Sequence, residues 1–248
     1  MSDAAERHAA FAQRLREVSP AAEPILDAFA TVPRHVFLPE MPLDAIYADD
    51  AVVTHDEDGV PTSSSSQPSL MARMLDQLDV RAGDRVLEVG AGTGYNAALL
   101  AALGAAVTTV ELQPDVAAAA ASHLRAIGVE VGETTASPHG GDGAVAPGTV
   151  RVVTGDGAAP PGGPYERVIV TAGCWSLSAA LVDALADGGI LVAPLRVNGV
   201  ELVLGLGRAG IVEQALLEGA VAETRDLVDK LDAEAGGDGE GEGPPERA

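Results

Sequence analysis

The sequence predicts an α/β protein with a mostly parallel central sheet and helices on both faces. Three observations carry this. From Val86 onward, short apolar runs alternate with helical stretches, the pattern that lays strands side by side with crossover helices between them. The runs are apolar nearly throughout, as strands buried on both faces are. One strand-to-helix passage, Gly90-Ala91-Gly92-Thr93-Gly94, places glycine at every second position, where a tight turn leaves no room for side chains.

Taken in order, residues 3–30 carry Phe11, Leu15, Ile25, Leu26 and Phe29 at helical spacing and predict one or two helices broken near Ser19-Pro20. Val32 to Pro39, bounded by prolines, predicts a short extended segment. Residues 40–67 predict a long irregular stretch, acidic at Asp56-Glu57-Asp58 and rich in hydroxyls from Thr62 to Ser66. Loops of that length usually serve function or are disordered. Pro68 opens a helix over 68–79, with Leu70, Met71, Met74, Leu75 and Leu78 on one face. Strands follow at 86–89, 107–110, 150–153, 168–170 and 190–194, with helices over 93–103, 114–126 and 177–185. Residues 128–149 interrupt the alternation and predict an inserted loop, and Leu202 to Leu206 with a segment near Ile211 predicts a closing hairpin. The chain thus divides into an N-terminal helical and substrate-loop segment (1–80), a sheet core (81–220) and an acidic tail (221–248) expected to be disordered at its end.

Composition narrows the function. A chain of 248 residues holds one well-buried core. Its formal charge of −22 excludes a basic face that would release phosphate counterions, so no nucleic-acid partner is expected. Such a field suits a neutral or basic peptide, although solubility is the plainer reading. Nine acidic and three basic residues in 221–248 contribute −6 of that charge. No run of about 18 uncharged apolar residues is present, so no membrane partner is expected. The Met1–His8 start lacks the apolar stretch of a signal peptide. The single cysteine, Cys174, leaves no internal disulfide and no cysteine-rich zinc site, and no metal is expected. Together these features predict a cytoplasmic protein.

The glycine loop carries the chemistry. Glycines let backbone approach a ligand, and the helix that follows offers free N–H groups at its positive end. Glu111 stands at the end of the next strand, 21 residues after Gly90, where a carboxylate can accept both hydroxyls of a ribose. The loop alone is weakly specific: Gly92-Thr93-Gly94-Tyr95-Asn96-Ala97 also fits the dinucleotide pattern. Glu88, two residues before Gly90, suits a ligand with an amine, such as the methionine end of S-adenosyl-L-methionine, better than a pyrophosphate. Gly155-Asp156-Gly157 follows a strand on the ligand-binding edge; Asp156 is either an acceptor for an adenine amino group or a turn residue. Thr171 ends the following strand, either lining the pocket floor or packing as a strand end does.

With these segments placed, residues 25–206 resemble the protein-L-isoaspartate O-methyltransferase family. The resemblance rests on Val32-Pro33-Arg34-His35-Val36-Phe37-Leu38-Pro39-Glu40, Tyr47-Ala48-Asp49 and Ser66-Gln67-Pro68. It continues through Gly83 to Tyr95, Gly155-Asp156-Gly157, Tyr165, Ile169 to Ala172 and Gly188 to Pro194. Ser66-Gln67-Pro68, in register with the glycine loop, is more specific than the loop itself. The resemblance implies a Rossmann-like methyltransferase fold and S-adenosyl-L-methionine as donor, with S-adenosyl-L-homocysteine as product. The acceptor it implies is a side-chain carboxylate of a peptide or protein bearing aspartate or isoaspartate. By position, Glu88, Gly90, Ala91, Gly92, Thr93, Gly94, Tyr95, Glu111, Leu112, Gly155, Asp156, Gly157 and Thr171 hold the cofactor. Ser66 contacts the acceptor carboxylate or its adjoining backbone.

Three departures stand out: the acidic, hydroxyl-rich lead into Ser66, the Cys174-Trp175 step after Gly173, and the 128–149 insert with its acidic tail. The Thr/Ser run and the tryptophan resemble a divergent branch that methylates an ordinary aspartate of a cyclised, ribosomally made peptide. Such an ester collapses to a succinimide (aspartimide) and opens to isoaspartate. General repair of isoaspartate in damaged proteins is the alternative, and a catalytically idle peptide-binding domain is a third. Methyl transfer to a carboxylate needs no general base, because an aspartate is already ionised at neutral pH. Alignment suffices. Ser65 and Ser66 suit the catalytic task of orienting a carboxylate without clamping it, and Ser64, Ser66, Gln67, His55 and Trp175 are the expected substrate contacts.

Overall fold

The computed structural model describes residues 2–57, 60–132, 145–174, 176–197, 200–207 and 210–216. The predicted insert beyond Gly132 as far as residue 144, Trp175, Asp58 and the tail from 217 lie outside the described residues, as do the side chains of Asp56, Glu57 and Thr62.

Two helices open the chain, α1 (Asp3–Val18) and α2 (Glu23–Thr31). Ser2 caps α1 by accepting from the Ala5 N–H, and a proline lies in the first turn of α2. The prolines around Val32–Pro39 do not hold the segment extended: Arg34–Val36 forms a 3₁₀ turn closed by the Phe37 N–H on the Arg34 carbonyl. The stretch 40–67 is more regular than its composition suggests. It holds a short helix α3 (Leu43–Ile46) and an antiparallel pair of strands, β1 (Val52–Glu57) and β2 (Val60–Ser65). Polar strands form here because ladder hydrogen bonds depend on backbone, and β-branched Val52, Val53 and Thr54 favour it. Helix α4 (Pro68–Leu78) follows. The side chain of its N-cap residue, Gln67, makes no capping bond, and Asp49 Oδ1 accepts from the Ser69 N–H instead at 2.8 Å.

The main sheet has eight strands, in the order β10-β9-β8-β7-β3-β4-β6-β5. These are β3 (Arg85–Val89), β4 (Ala106–Glu111), β5 (Val131–Gly132), β6 (Val150–Thr154), β7 (Tyr165–Val170), β8 (Leu185–Val197), β9 (Val200–Gly207) and β10 (Gly210–Leu216). Pairings from β5 through β8 are parallel, while β8–β9–β10 is the predicted antiparallel close. Helices α5 (Tyr95–Ala102), α6 (Pro114–Ala126) and α7 (Ala179–Asp183) connect the strands. Helix α5 begins two residues later than its sequence pattern predicts, because Gly92 (φ +51°) and Gly94 (φ +87°) take left-handed conformations that a right-handed helix cannot include. The chain runs from β3 outward through β4 to β6, then returns to the other side of β3 with β7. That reversal opens a crevice at the carboxyl ends of the strands, where ligands bind in open α/β sheets.

Alternate strand residues feed two apolar clusters. Val86, Val107, Val150, Ile169 and Val192 join residues of α1, α2, α4, α5 and α6, whereas Leu87, Val110, Val168 and Leu191 join Leu181 of α7. The N-terminal segment therefore shares the core of the sheet. Phe29 is its keystone: fully buried on α2, it packs against Phe11 of α1 (6.5 Å between ring centroids) and edge-on to Tyr95 of α5 (6.1 Å). Phe29→Ala should cost about 3–5 kcal/mol. In urea melts this would appear as a lowered midpoint with an unchanged slope, since the surface exposed on unfolding is much the same.

Candidate active site

A cavity of about 520 Å³ lies over the carboxyl edge of the sheet, at the crevice beside β3. One wall is the glycine loop with Glu111, Leu112 and Gln113; another is the Ser63–Ser66 run; the floor is Ile169, Thr171 and Ala172. Residues scattered over more than a hundred positions of sequence meet here because β3, β4, β6 and β7 all end at the same edge.

Two hydrogen bonds hold the start of the glycine loop. The Gly90 N–H donates to the Val110 carbonyl at 2.8 Å, fixing the turn against β4. Thr171 Oγ1 donates to the Gly90 carbonyl at 2.6 Å, so this predicted pocket residue secures the loop with its hydroxyl while lining the cavity. A Cβ on Gly90 would fall 2.9 Å from that same hydroxyl. Gly94 begins α5 where a Cβ would crowd the Ala120 carbonyl at 3.1 Å; it lets α5 and α6 approach and does not reach the cavity. At Gly157 a Cβ would come within 2.2 Å of Val89 Cγ1, so glycine there makes room for β3.

Glu88 lies behind the cavity, not in its wall. It is fully buried on the α5 side of the sheet, accepting from Asn96 Nδ2 at 2.9 Å and from Thr109 Oγ1 at 2.5 Å. The structure therefore places it as the tie between β3, β4 and α5 beneath the loop, away from direct reach of a ligand amine. Burial raises its carboxyl to about 7; the bonds from Thr109 and Asn96 oppose the rise and the nearby Glu111 adds to it.

Glu111, half-buried, lines the cavity. Its Oε2 accepts from the Gly92 N–H at 3.0 Å and Oε1 from the Gln113 N–H at 3.2 Å. A carboxylate has about four lone-pair directions, so both oxygens retain capacity for ligand hydroxyls. Asp156 is exposed at the rim; its Oδ1 accepts from the Ala158 N–H at 2.9 Å. The turn reading is the one the hydrogen bond shows, and the residue also lines the cavity. Leu112 projects beside it, 69% exposed. Gly155 extends the β4–β6 pairing, its N–H donating to the Glu111 carbonyl, without lining the cavity.

On the opposite wall stand Ser63, Ser64, Ser65 and Ser66. Two of the expected substrate contacts are elsewhere. Gln67 donates through Nε2 to Asp49 Oδ2 at 3.2 Å and so joins the anchoring of α4. His55 is exposed on β1, away from the cavity lining.

Several residues that sequence reasoning passes over prove structural to the site. Arg34 is fully buried and donates through Nη2 to the Ser66 carbonyl (3.0 Å), to Ser65 Oγ (3.2 Å) and to the Ser65 carbonyl (3.4 Å). Asp49 holds the start of α4 and Gln67 together. His123 Nδ1 lies 3.0 Å from the Thr93 carbonyl and its ring stacks edge-on to Phe37 (6.0 Å), tying the glycine loop to the N-terminal segment. Arg34, Phe37 and Asp49 all sit inside the motifs that carry the resemblance, which is the available signal.

Comparison with known proteins decides the family. The profile of the family described as Protein-L-isoaspartate(D-aspartate) O-methyltransferase (PCMT) matches residues 6–210. The chain belongs to that family. It is 36% identical over 200 residues to the protein-L-isoaspartate O-methyltransferase of Methanoculleus marisnigri, covering 79% of this chain and 80% of that one. Against the same enzyme of Xanthomonas axonopodis pv. citri the identity is 37% over 208 residues, covering 83% and 82%. A solved protein-L-isoaspartate O-methyltransferase superposes with a TM-score of 0.67 at 26% identity, covering 90% of this chain and 69% of the other. A Plasmodium falciparum structure described as a putative protein-L-isoaspartate O-methyltransferase in complex with S-adenosyl-L-homocysteine gives 0.65 at 16%, covering 84% and 94%, a likeness of fold. Membership makes this chain an S-adenosylmethionine-dependent carboxyl O-methyltransferase with a Rossmann-like fold.

The state of Glu88 sets a pH dependence. Its folded-state pKa, about 7, exceeds the ordinary 4.5, so the folded protein holds a proton that the unfolded chain releases between those values. Stability contributed by this group is full below about 4.5, falls as pH rises and is lost above about 7. Glu88→Gln removes that loss. Relative to the parent, the variant should gain up to roughly 3 kcal/mol between pH 5 and pH 8 in urea melts. A difference independent of pH would mean that Glu88 does not titrate in this window.

Proposed function

We propose that the chain methyl-esterifies a carboxylate of a peptide or protein, with the free α-carboxylate of an isoaspartyl residue as the acceptor. One observation carries this: the Ser63–Ser66 run and the glycine loop with Glu111 line one and the same cavity. The family relationship supports isoaspartate in proteins as the acceptor.

The donor supplies a sulfonium methyl, an electrophile that needs no activation by the protein. On this reading Glu111 takes the ribose hydroxyls with its unused lone pairs. Leu112 and Asp156 border the adenine. Gly92 has an open face, with no atom within 4 Å of the position a Cβ would take, and it admits the ligand against backbone. Across the cavity, Ser65 and Ser66 orient the acceptor carboxylate for in-line attack. The carboxylate is ionised at neutral pH, so the protein's contribution is alignment and exclusion of water rather than proton transfer. Hydroxyl donors serve this better than a bidentate cation, which would stabilise the ground-state carboxylate as strongly as the transition state.

A second acceptor, an ordinary aspartate in a constrained, ribosomally made peptide, is favoured by the run of four consecutive serines at the acceptor wall. Turnover of a linear isoaspartyl peptide and of a cyclised aspartyl peptide separates the two. Isoaspartate as acceptor requires robust turnover of the linear peptide; methylation confined to the cyclised one moves the assignment to the second reading.

Ser66→Ala should raise KM for the acceptor about tenfold and leave S-adenosyl-L-homocysteine affinity unchanged, by calorimetry. Glu111→Gln should do the reverse, weakening the cofactor product about tenfold or more. Loss of both affinities in either variant would mean that the two walls do not act separately.

A further inference from the structure

Arg34 has no obvious reason to be an arginine. Its side chain is 0% exposed, and only Nη2 is engaged, on the Ser65 and Ser66 groups described above. Nε and Nη1 have no hydrogen-bond partner, and no ion pair joins the guanidinium to a described carboxylate. Asp49, the acid that acts on it through space, is already committed to Ser69 and Gln67. The guanidinium lies 5.8 Å from the ring centroid of Tyr95, a cavity residue that is itself buried with an unpartnered hydroxyl.

Burying a cation without a counter-ion is costly. Burial lowers the pKa of Arg34, yet a guanidinium starts so far above neutral pH that it keeps its charge. Two carbonyls and a hydroxyl could be held by a neutral donor at less cost. An uncompensated cation against the acceptor wall makes sense if an anion arrives there, and in a chain of net charge −22 an incoming carboxylate otherwise meets repulsion.

We propose that Arg34 is a positioning residue for the methyl acceptor: it fixes Ser65 and Ser66 at the cavity wall, and its unpaired charge draws the acceptor carboxylate to their hydroxyls. The assignment rests on the acceptor reading of this wall given above. Because Nη2 donates to Ser65 Oγ, that bond occupies an oxygen lone pair and leaves the hydroxyl proton for a carboxylate. The hydroxyl thus stands between cation and acceptor. Attraction reaches the carboxylate without the direct bidentate pairing that would blunt its nucleophilic oxygen. Ser65 supplies the contact; Arg34 acts through it.

The test compares Arg34→Met, Arg34→Lys and Ser65→Ala with the parent, using a linear isoaspartyl peptide and its isoasparaginyl (carboxamide) counterpart as inhibitor. Arg34→Met should raise acceptor KM about tenfold or more while S-adenosyl-L-homocysteine affinity stays within about twofold, and should erase the parent's preference for the carboxylate peptide over the carboxamide. Arg34→Lys, which keeps the charge, should retain that preference. Ser65→Ala should raise KM, and adding it to Arg34→Met should cost little more, because the two act as a unit. A folded Arg34→Met with the parent's KM and carboxylate preference overturns the assignment. So does loss of that preference in Arg34→Lys equal to the loss in Arg34→Met. If Arg34→Met does not fold, Arg34→Lys and Ser65→Ala decide: an unchanged KM in Ser65→Ala overturns it. A parent enzyme that neither methylates nor binds the peptide sinks the acceptor reading itself, a result distinct from any of these.

Discussion

The site depends on a buried carboxylate. Glu88 sits with no solvent exposure between Thr109 of β4 and Asn96 of α5, on the strand that delivers the glycine loop. A strand-to-helix turn built from glycines has little stiffness of its own. Here it gains stiffness from below, because one side chain fixes the neighbouring strand and the first turn of the helix at once. Removing either partner would leave a polar group unpaired in an apolar layer, which makes the arrangement costly to disturb. The glycine-loop wall of the cavity takes its position from that tie, from the Gly90–Val110 backbone bond and from the bonds of Thr171, Glu111 and His123 to the loop.

The serine wall rests on a different principle. Ser63 to Ser65 end a strand of a two-stranded sheet outside the main one, and Ser66 follows directly after it. Its cavity end is secured by charged residues drawn from the N-terminal segment: Arg34 on the Ser65 and Ser66 backbone, and Asp49 on Ser69 and Gln67. Phe29 and Phe37 hold that segment against Tyr95 of α5. The aromatic contacts thereby connect the two walls, and His123 adds a polar link from Phe37's neighbourhood back to Thr93. The glycine-loop wall and the serine wall are therefore parts of one packed body, the rigidity that the proposed transfer between them requires.

Much of the fold is legible in the sequence because burial writes itself as periodicity. The apolar runs at Val86, Val107, Val150 and Val168 and the helical stripes of α4 and α6 follow the burial rules closely, and the structure moves their ends by only a few residues. The hairpin at 52–65 escapes that reading because its residues are polar, and a strand whose side chains need not be buried leaves no apolar alternation. Its one local cue, Asp58-Gly59, is a common hairpin signal that the surrounding acids and serines obscure. The 3₁₀ turn at Arg34–Val36 departs from expectation for a related reason: flanking prolines restrict local backbone, but the packing of Phe37 against Tyr95 and His123 decides where the chain turns.

What the sequence by itself determined was the parallel sheet, the glycine turn and the acid that ends the next strand, because each follows from spacing along a few consecutive residues. Burial was beyond it. Glu88 and Glu111 both read as ligand carboxylates, and their register puts them on one face of the sheet; Glu88, inside β3, is covered by α5, whereas Glu111, the last residue of β4, lines the cavity, and only the packed structure shows where the helix closes over that face. Gln67 and His55 likewise looked like substrate contacts, but the anchoring of α4 engages the first and the exposed side of β1 carries the second. Arg34 gave no sign in the sequence of being a buried cation. Its environment comes from residues about thirty positions away, and only the tertiary structure brings them to it.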